Sequence, residues 1–404
     1  MGKRGKPSPP CCKKYGLPLY CASWIPLQKI KEKQQQEEPK EEQGNKVVSE
    51  QLSAEELEYL VLGGGGGEGR SGLKNALLLT QFNFSSRSLL DHFVNKLETG
   101  GDLPYRMAVH PGGEGLICSF PTCSRWFEWD VSDSMEAQKL ALKSSEQTMT
   151  QLEDVGLQLA LTFNTEGSLL ATGGEDGHLR VFKWPSMEVI LDQADAHASV
   201  KDLDFSLDGK YLISLGNSGP CRVWDLTSLT AVASLTRENG EVFGFCRFSR
   251  RTDSNQILYL TSMQGQQGGV VSWNTTSWNR VGSKKLVRDP ISAFDVSADG
   301  NLLAIGTIEG DIAIIDSTNM QVKTMVKAAH LGLVTALTFS HDCRAVASTS
   351  FDSSARVTII EDKKKNGLNM WVMIFVIILA IVAYVLKEKG LFSDVYTELK
   401  GWAS

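Results

Sequence analysis

Six stretches of this chain share one pattern, and a repeat of that length leaves few folds open. Phe163 begins FNTEGSLLATGGEDGHLRVFKW and Phe205 begins FSLDGKYLISLGNSGPCRVWDL. Val296 begins VSADGNLLAIGTIEGDIAIIDS, Phe339 begins FSHDCRAVASTSFDSSARVTII, and looser copies start at Val109 and Phe248. The anchors stand 54, 42, 43, 48 and 43 residues apart, near the ~40–45 of a WD-type propeller blade. Each copy reads strand, Asp-Gly-like turn, strand, turn, strand, with apolar residues alternating at period two. Trp224-Asp225 is a full WD dipeptide, and Trp129-Asp130 and Ile315-Asp316 hold the equivalent place. His197 and His330 precede their units where such repeats carry a histidine that ties the blade together, so both read as structural.

Six copies plus one earlier unit predict an all-β, seven-bladed propeller over residues 15–361. The last copy shows three strands before Glu361. Its fourth must come from elsewhere: Tyr15 to Ile25 is the candidate, unless that segment opens the first blade. Residues 1–14 read as a basic tail, and 28–56, rich in Gln, Glu and Lys, as a solvated insertion too polar to order itself. Within it, Ser53-Ala54-Glu55-Glu56 could cap a short helical turn.

The first unit contains the chain's most unusual segment, Gly63 to Gly67 followed by Glu68-Gly69-Arg70-Ser71-Gly72-Leu73-Lys74-Asn75. Glycine loses more backbone freedom on ordering than any other residue. A run this dense between the apolar strands Glu58–Leu62 and Ala76–Leu79 therefore implies that bare backbone is needed there, for an ion, a phosphate or a partner. A flexible linker is the plain alternative, but an apolar run precedes the glycines, which puts the loop inside the folded unit. Gly64-x-x-x-x-Gly69-Arg70-Ser71 nearly spells a P-loop, which needs Lys at position 70 and a helix afterwards. Leu77–Phe82 reads as a strand instead, and no βαβ unit surrounds the loop to support a dinucleotide site. No Ser/His/Asp, paired-carboxylate or Cys/His cluster stands outside the repeat pattern, which disfavours hydrolytic or metal chemistry.

The formal net charge of −6 argues against a nucleic-acid partner. Eight cysteines without a CxxC pair fit a reducing compartment. Cys11-Cys12 could be acylated, while Lys6 stands where myristoylation needs Ser or Thr. Leu368 to Leu386 carries no charge, is bracketed by Lys363-Lys364-Lys365 and Lys387-Glu388-Lys389, and has Trp371 and Tyr384 near its ends. That predicts one transmembrane helix. Residues 362–367 would be a short tether keeping the propeller near the bilayer, and 387–404 a short lumenal tail. Residues 1–30 hold no apolar signal-peptide core. A single-pass type II anchor with a cytosolic propeller follows.

A propeller whose first blade carries a polyglycine loop, joined to a C-terminal anchor, resembles the Sec-twelve family across nearly the whole chain. The specific part is GGGGGEGRSGLKN. The resemblance implies a guanine-nucleotide exchange factor of the endoplasmic-reticulum membrane that loads GTP onto a Sar-type small GTPase and starts COPII assembly, without covalent chemistry. It implies that backbone carbonyls of Gly63, Gly64, Gly65, Gly66, Gly67 and Gly69 hold K⁺, agreeing with the need for converging carbonyls to strip an ion of water. It implies that Gly72, Leu73, Lys74 and Asn75 meet the GTPase, with Asn75 the acting residue. Two alternatives stand beside it: a non-catalytic export facilitator, as in plant relatives lacking an intact Gly loop, and a membrane-tethered WD adaptor.

Overall fold

All six repeat anchors are the last residues of inner strands: Arg106–Val109, Gln158–Phe163, Val200–Phe205, Glu241–Phe248, Ile291–Val296 and Val334–Phe339. The computed structural model describes residues 9–37, 56–67, 72–134, 137–147, 149–238, 240–252, 256–361 and 370–388. The chain divides into two units, Met1–Ile360 and Glu361–Ser404. The first unit holds seven antiparallel sheets, six of four strands and one of five. These are the blades of the predicted propeller, numbered here from the N-terminus.

Blade 4 shows how the repeat writes its own structure. Its inner strand, Val200–Phe205, pairs with Tyr211–Gly216, which pairs with Cys221–Asp225, and the outer strand is Thr230–Leu235. Leu212, Ile213 and Leu215 are buried on both faces of the second strand, whereas most of the outer strand is exposed. Between the first two strands, Gly209 takes φ +67°. The Asp208 carboxylate accepts from the Lys210 amide at 3.1 Å and the Ser206 hydroxyl from the Tyr211 amide at 2.9 Å. In blade 7 the same turn places Cys343, not glycine, at φ +60°, a conformation non-glycine residues adopt rarely. Neighbouring blades are joined by buried and half-buried carboxylates. Asp204 accepts from the Phe248 amide at 2.7 Å and from Arg250 at 2.6 Å, and Asp295 accepts from the Phe339 amide at 2.9 Å. Hydrogen bonds to charged groups are worth about 1.5–3 kcal/mol each, so the ring is held by more than apolar packing.

The ring closes through the N-terminus, and here two expectations change. The fourth strand of blade 7 is Cys12–Lys14, paired with Ser354–Ile359 so that Cys12 faces Arg356 and Lys14 faces Ser354. The basic tail therefore does not extend to residue 14. Its last residues are the clasp, because an unpaired outer edge would leave a row of backbone groups without partners. Leu19–Trp24 instead opens blade 1 as its inner strand.

The polar insertion also begins with order. Helix α1, Leu27–Glu37, follows blade 1's inner strand. Ile30 is buried against the blade 1 and blade 2 core, which supplies the apolar contact that composition alone did not suggest. Residues 38–55, with the capping turn expected at 53–56, lie outside the described residues apart from Glu56.

In the second unit, helix α2 spans Met370–Glu388. Its large apolar side chains from Ile374 to Val385 are exposed. Among the described residues no helix is long and apolar enough to cross a membrane. The first two residues of the expected span, 368 and 369, are outside the described set, as are the tether 362–367 and the tail from 389.

Candidate partner-binding site on blade 1

The glycine run is not one loop. Gly63 and Gly64 end the strand Leu57–Gly64 and are paired on both sides, with Leu77 and Ala76 across one ladder and Cys21 and Leu19 across the other. They are glycine because nothing larger fits. A Cβ on Gly64 would lie 2.1 Å from the Pro18 carbonyl oxygen, and one on Gly63 would lie 2.6 Å from Cys21 Sγ. Two of the six proposed ion ligands are thus strand residues required by packing, which corrects the reading of a loop from residue 63. The loop proper runs from Gly65 to Lys74. Glu68, Gly69, Arg70 and Ser71 lie outside the described residues, so the placement of Gly69 as a ligand is not described either. The next segment is the strand Asn75–Asn83, antiparallel to the first. A hairpin without a following helix excludes a P-loop.

Asn75 organises the base of this loop. It is 2 % exposed, and its amide is used inside the chain. Oδ1 accepts from the Gly67 amide at 2.9 Å, while Nδ2 donates to the Gly101 carbonyl at 2.9 Å and the Gly100 carbonyl at 3.2 Å. A third oxygen, that of Gly67, lies 3.5 Å from the same Nδ2. Gly65, at φ +154°, packs so closely that a Cβ would meet Asn75 Oδ1 at 2.1 Å. The Gly65 amide is fixed to the Pro18 carbonyl at 3.0 Å. Gly67 and Gly72 both take φ +69° into open space. The glycines nearest the sheet are therefore there for close approach, and the later ones for backbone conformation.

Gly72, Leu73 and Lys74 are exposed, with Leu73 41 % accessible. Lys74 contacts both oxygens of Glu98, at 2.9 and 3.1 Å, which with Lys96 holds the Glu98 carboxyl below its ordinary range. Such an exposed pair contributes little to stability. The structure thus brings Asn75 to the buried base of the loop and leaves residues 72–74 at its surface.

Other participants escaped the sequence reading. The Gly100-Gly101 turn supplies the carbonyls for Asn75, and Gly100, at φ +72°, is the local signal that could have flagged it. Tyr20 is left out of the ladder by a bulge between Leu19 and Cys21 and packs edge-on against Phe351 at 4.8 Å between centroids. The Arg106 guanidinium lies 4.6 Å from the Tyr105 ring centroid. An aromatic and cationic cluster therefore adjoins the strand that pairs with Gly63 and Gly64. By contrast, the repeat histidines are internal. His197 Nε2 and Trp224 Nε1 share Ser214 Oγ at 2.8 and 2.9 Å, and His330 sits between Ser348 and Ser354.

Comparison with known proteins fits this geometry. The WD domain, G-beta repeat family matches residues 154–183, 190–225 and 321–358, parts of blades 3, 4, 6 and 7. The chain is 47 % identical over 359 residues to SEC12-like protein 2 of Arabidopsis thaliana, spanning 88 % of this chain and 90 % of that protein. The chain belongs to the SEC12 family. SEC12-like protein 1 of the same plant is 31 % identical over 79 % of this chain and 81 % of its own length. The rat guanine nucleotide-exchange factor SEC12 is 26 % identical over 64 % of this chain and 67 % of its own length. The family resemblance expected from the repeats and the glycine loop is therefore borne out.

Proposed function

We propose that this SEC12-family chain is a guanine-nucleotide exchange factor for a Sar-type small GTPase at the endoplasmic reticulum, and so starts COPII vesicle formation. The observation that carries the reading is the blade 1 loop, fixed at its base by Asn75 to Gly67, Gly100 and Gly101 while residues 72–74 stay exposed. An exchange factor needs such an element. It binds the nucleotide-free GTPase more tightly than the loaded form, and by reciprocity lowers nucleotide affinity by the same factor. A loop pressed into the nucleotide site does this by disturbing contacts to phosphate and Mg²⁺. Since its amide is used within the chain, Asn75 acts as a positioning residue that sets where Gly72, Leu73 and Lys74 meet the partner.

K⁺ belongs to the same proposal. The donors at hand are backbone carbonyl oxygens, the right kind for a weakly hydrated monovalent cation. With Gly63 and Gly64 paired in the sheet, the carbonyls of Gly65, Gly66 and Gly67 are the ones that would hold it. When bound, the ion would attract those carbonyl oxygens and favour one loop conformation.

Nucleotide release from a purified Sar-type GTPase tests this. The full-length chain should accelerate release in K⁺ and do so less in Na⁺, with the Gly67 amide exchanging its hydrogen faster in Na⁺. A folded chain that leaves release at its intrinsic rate is not an exchange factor and favours the export-facilitator reading.

We also propose that Leu368–Leu386 anchors the chain as a type II protein with the propeller in the cytosol. Its support is the charge-free sequence and the exposed apolar side chains of α2. The sequons Asn83-Phe84-Ser85 and Asn274-Thr275-Thr276 should then carry no glycan. A glycan on either in the native protein reverses the topology, and release of the chain from membranes by alkaline carbonate removes the anchor.

A further inference from the structure

On the face that carries the glycine loop, the inner strands of six blades bulge near their first residues. The residues left out of the ladder there include Tyr20, Lys201, Phe245, Ser292 and Thr335. A bulge re-aims a side chain, and most of these are answered by the neighbouring blade. Ser292 Oγ donates to the Val334 carbonyl at 2.7 Å, Thr335 Oγ1 donates to the Leu19 carbonyl at 2.8 Å, and Tyr20 meets Phe351. Arg106, first residue of blade 2's inner strand, reaches the Tyr20 carbonyl at 3.4 Å.

Lys201 breaks the pattern. Its Nζ has no hydrogen-bond acceptor and no carboxylate within ion-pair distance among the described residues, and lies 5.7 Å from the Phe245 ring centroid. The adjacent Asp202 carboxylate is taken by Arg247 at 2.6 Å and the Cys246 amide at 2.9 Å. Arg237, in the connection from blade 4 to blade 5, lies over the Phe243 ring and touches the Gly216 carbonyl at 3.4 Å. Its Nε is buried with no acceptor. Neither Arg106 nor Arg237 has a carboxylate partner among the described residues, although the chain as a whole is acidic. Half-buried like charges without counterions are costly. Burial first, then the charges of Arg106 and Arg237, push Lys201 below the ordinary lysine range against the pull of Asp202. Burial, Arg222 and Arg237 lower His197 to about 4.

We propose that Arg106, Lys201 and Arg237 form an oxyanion-binding site among the inner-strand ends, on the face of the propeller that carries the glycine loop. Its ligand is a phosphate or carboxylate. The source the geometry favours is an acidic group on the protein that docks over the loop, and that part rests on the exchange-factor reading. Because Arg106 also holds the Tyr20 carbonyl, occupation of the site is coupled to the strand that pairs with Gly63 and Gly64.

The test compares the detergent-solubilised full chain with its Lys201→Gln/Arg237→Gln variant, using inorganic pyrophosphate as probe. Pyrophosphate should raise the melting temperature of the unaltered chain, and the variant should bind it at least about tenfold more weakly, as the loss of two charge-assisted contacts implies. Without anion at low salt, the variant should melt close to the unaltered chain, since the repulsion it loses offsets the Gly216 and ring contacts it gives up. An equal pyrophosphate response in both proteins, or a variant destabilised in its absence, overturns the site. A second arm measures association with the nucleotide-free GTPase. Slower, less salt-dependent association by the variant assigns the anion to that partner. Unchanged association with the pyrophosphate response lost assigns the site to a free phosphate. The pyrophosphate arm stands even if the chain exchanges no nucleotide.

Discussion

Blades 1 and 4 solve the same problem at the same place, the connection between second and third strands, in opposite ways. Blade 4 turns between Gly216 and Cys221 and fixes that end internally, through the His197, Ser214 and Trp224 cluster. Among the described residues blade 1 has no such cluster. Its connection runs from Gly65 to Lys74, and among the described residues Asn75 holds its base through Gly67. In blade 4 the polar network lies inside the sheet, so it contributes stability and presents nothing. In blade 1 it lies under the loop, so the same kind of hydrogen bonds set the position of exposed residues. A repeat protein can thus spend one unit on function while its neighbours carry the fold.

The largest effect expected from this contrast is on blade 4. Trp224→Ala removes a buried ring that also donates to Ser214, and should cost about 3–5 kcal/mol of stability. Measured per folded molecule, nucleotide release should not change. A loss of exchange in material shown to be folded would mean that the blades are coupled and the division of labour is false.

Changes in blade 1 sharpen the comparison from the other side. Gly64→Ala forces a Cβ against the Pro18 carbonyl and should cost about 1–3 kcal/mol, as overpacking does. Gly67→Asn should melt almost normally, because the site is open and its φ of +69° is one that Asn tolerates. Asn75→Ala leaves the Gly67 amide and the Gly100 and Gly101 carbonyls unpaired. It should lower stability by about 1–3 kcal/mol and slow exchange tenfold or more, roughly 1.4 kcal/mol of barrier. Unaltered exchange by a folded Asn75→Ala protein would show that the loop needs no fixed base.

The sequence made the repeat easy to read and the site only half so. Apolar period-two runs with Asp-Gly turns declare a strand locally, which is why all six anchors mark strand ends. The clasp was missed because Cys12–Lys14 is short and its partner, Ser354–Ile359, lies at the far end of the unit. Nothing local encodes that pairing. For α1, one buried residue, Ile30, sets the helix against a core that composition cannot show. At the site, the glycine count was legible but its division was not. Whether a glycine is needed for a positive φ or for a close neighbour depends on what lies across the sheet, here Pro18 and Asn75. The burial of Asn75 depends likewise on Gly100 and Gly101, which no spacing rule connects to it.

The smallest effect expected separates the two blades by pH. Glu58, on blade 1's second strand, has its carboxyl pushed up from 4.5 to about 7 by burial and by Asp342 of blade 7, against the pull of Arg344. Between those values the folded protein holds a proton that the unfolded chain has released, so this group's contribution to stability falls as pH rises through the window. His197 in blade 4 behaves oppositely. With its value lowered from 6.5 to about 4, the unfolded chain binds the extra proton, and stability is lost as pH falls through that range. Glu58→Gln should therefore raise the melting temperature at pH 8, where the buried charge is costly, and leave it almost unchanged at pH 4.5. Allowing for partial solvent screening, the gain should be about 1–2 kcal/mol. The acid-side loss assigned to His197 should persist in the variant. If Glu58→Gln instead melts lower at pH 8, the charged carboxylate is supporting Arg344 across the junction of blades 7 and 1, and the ring closes there by an ion pair rather than in spite of a buried charge.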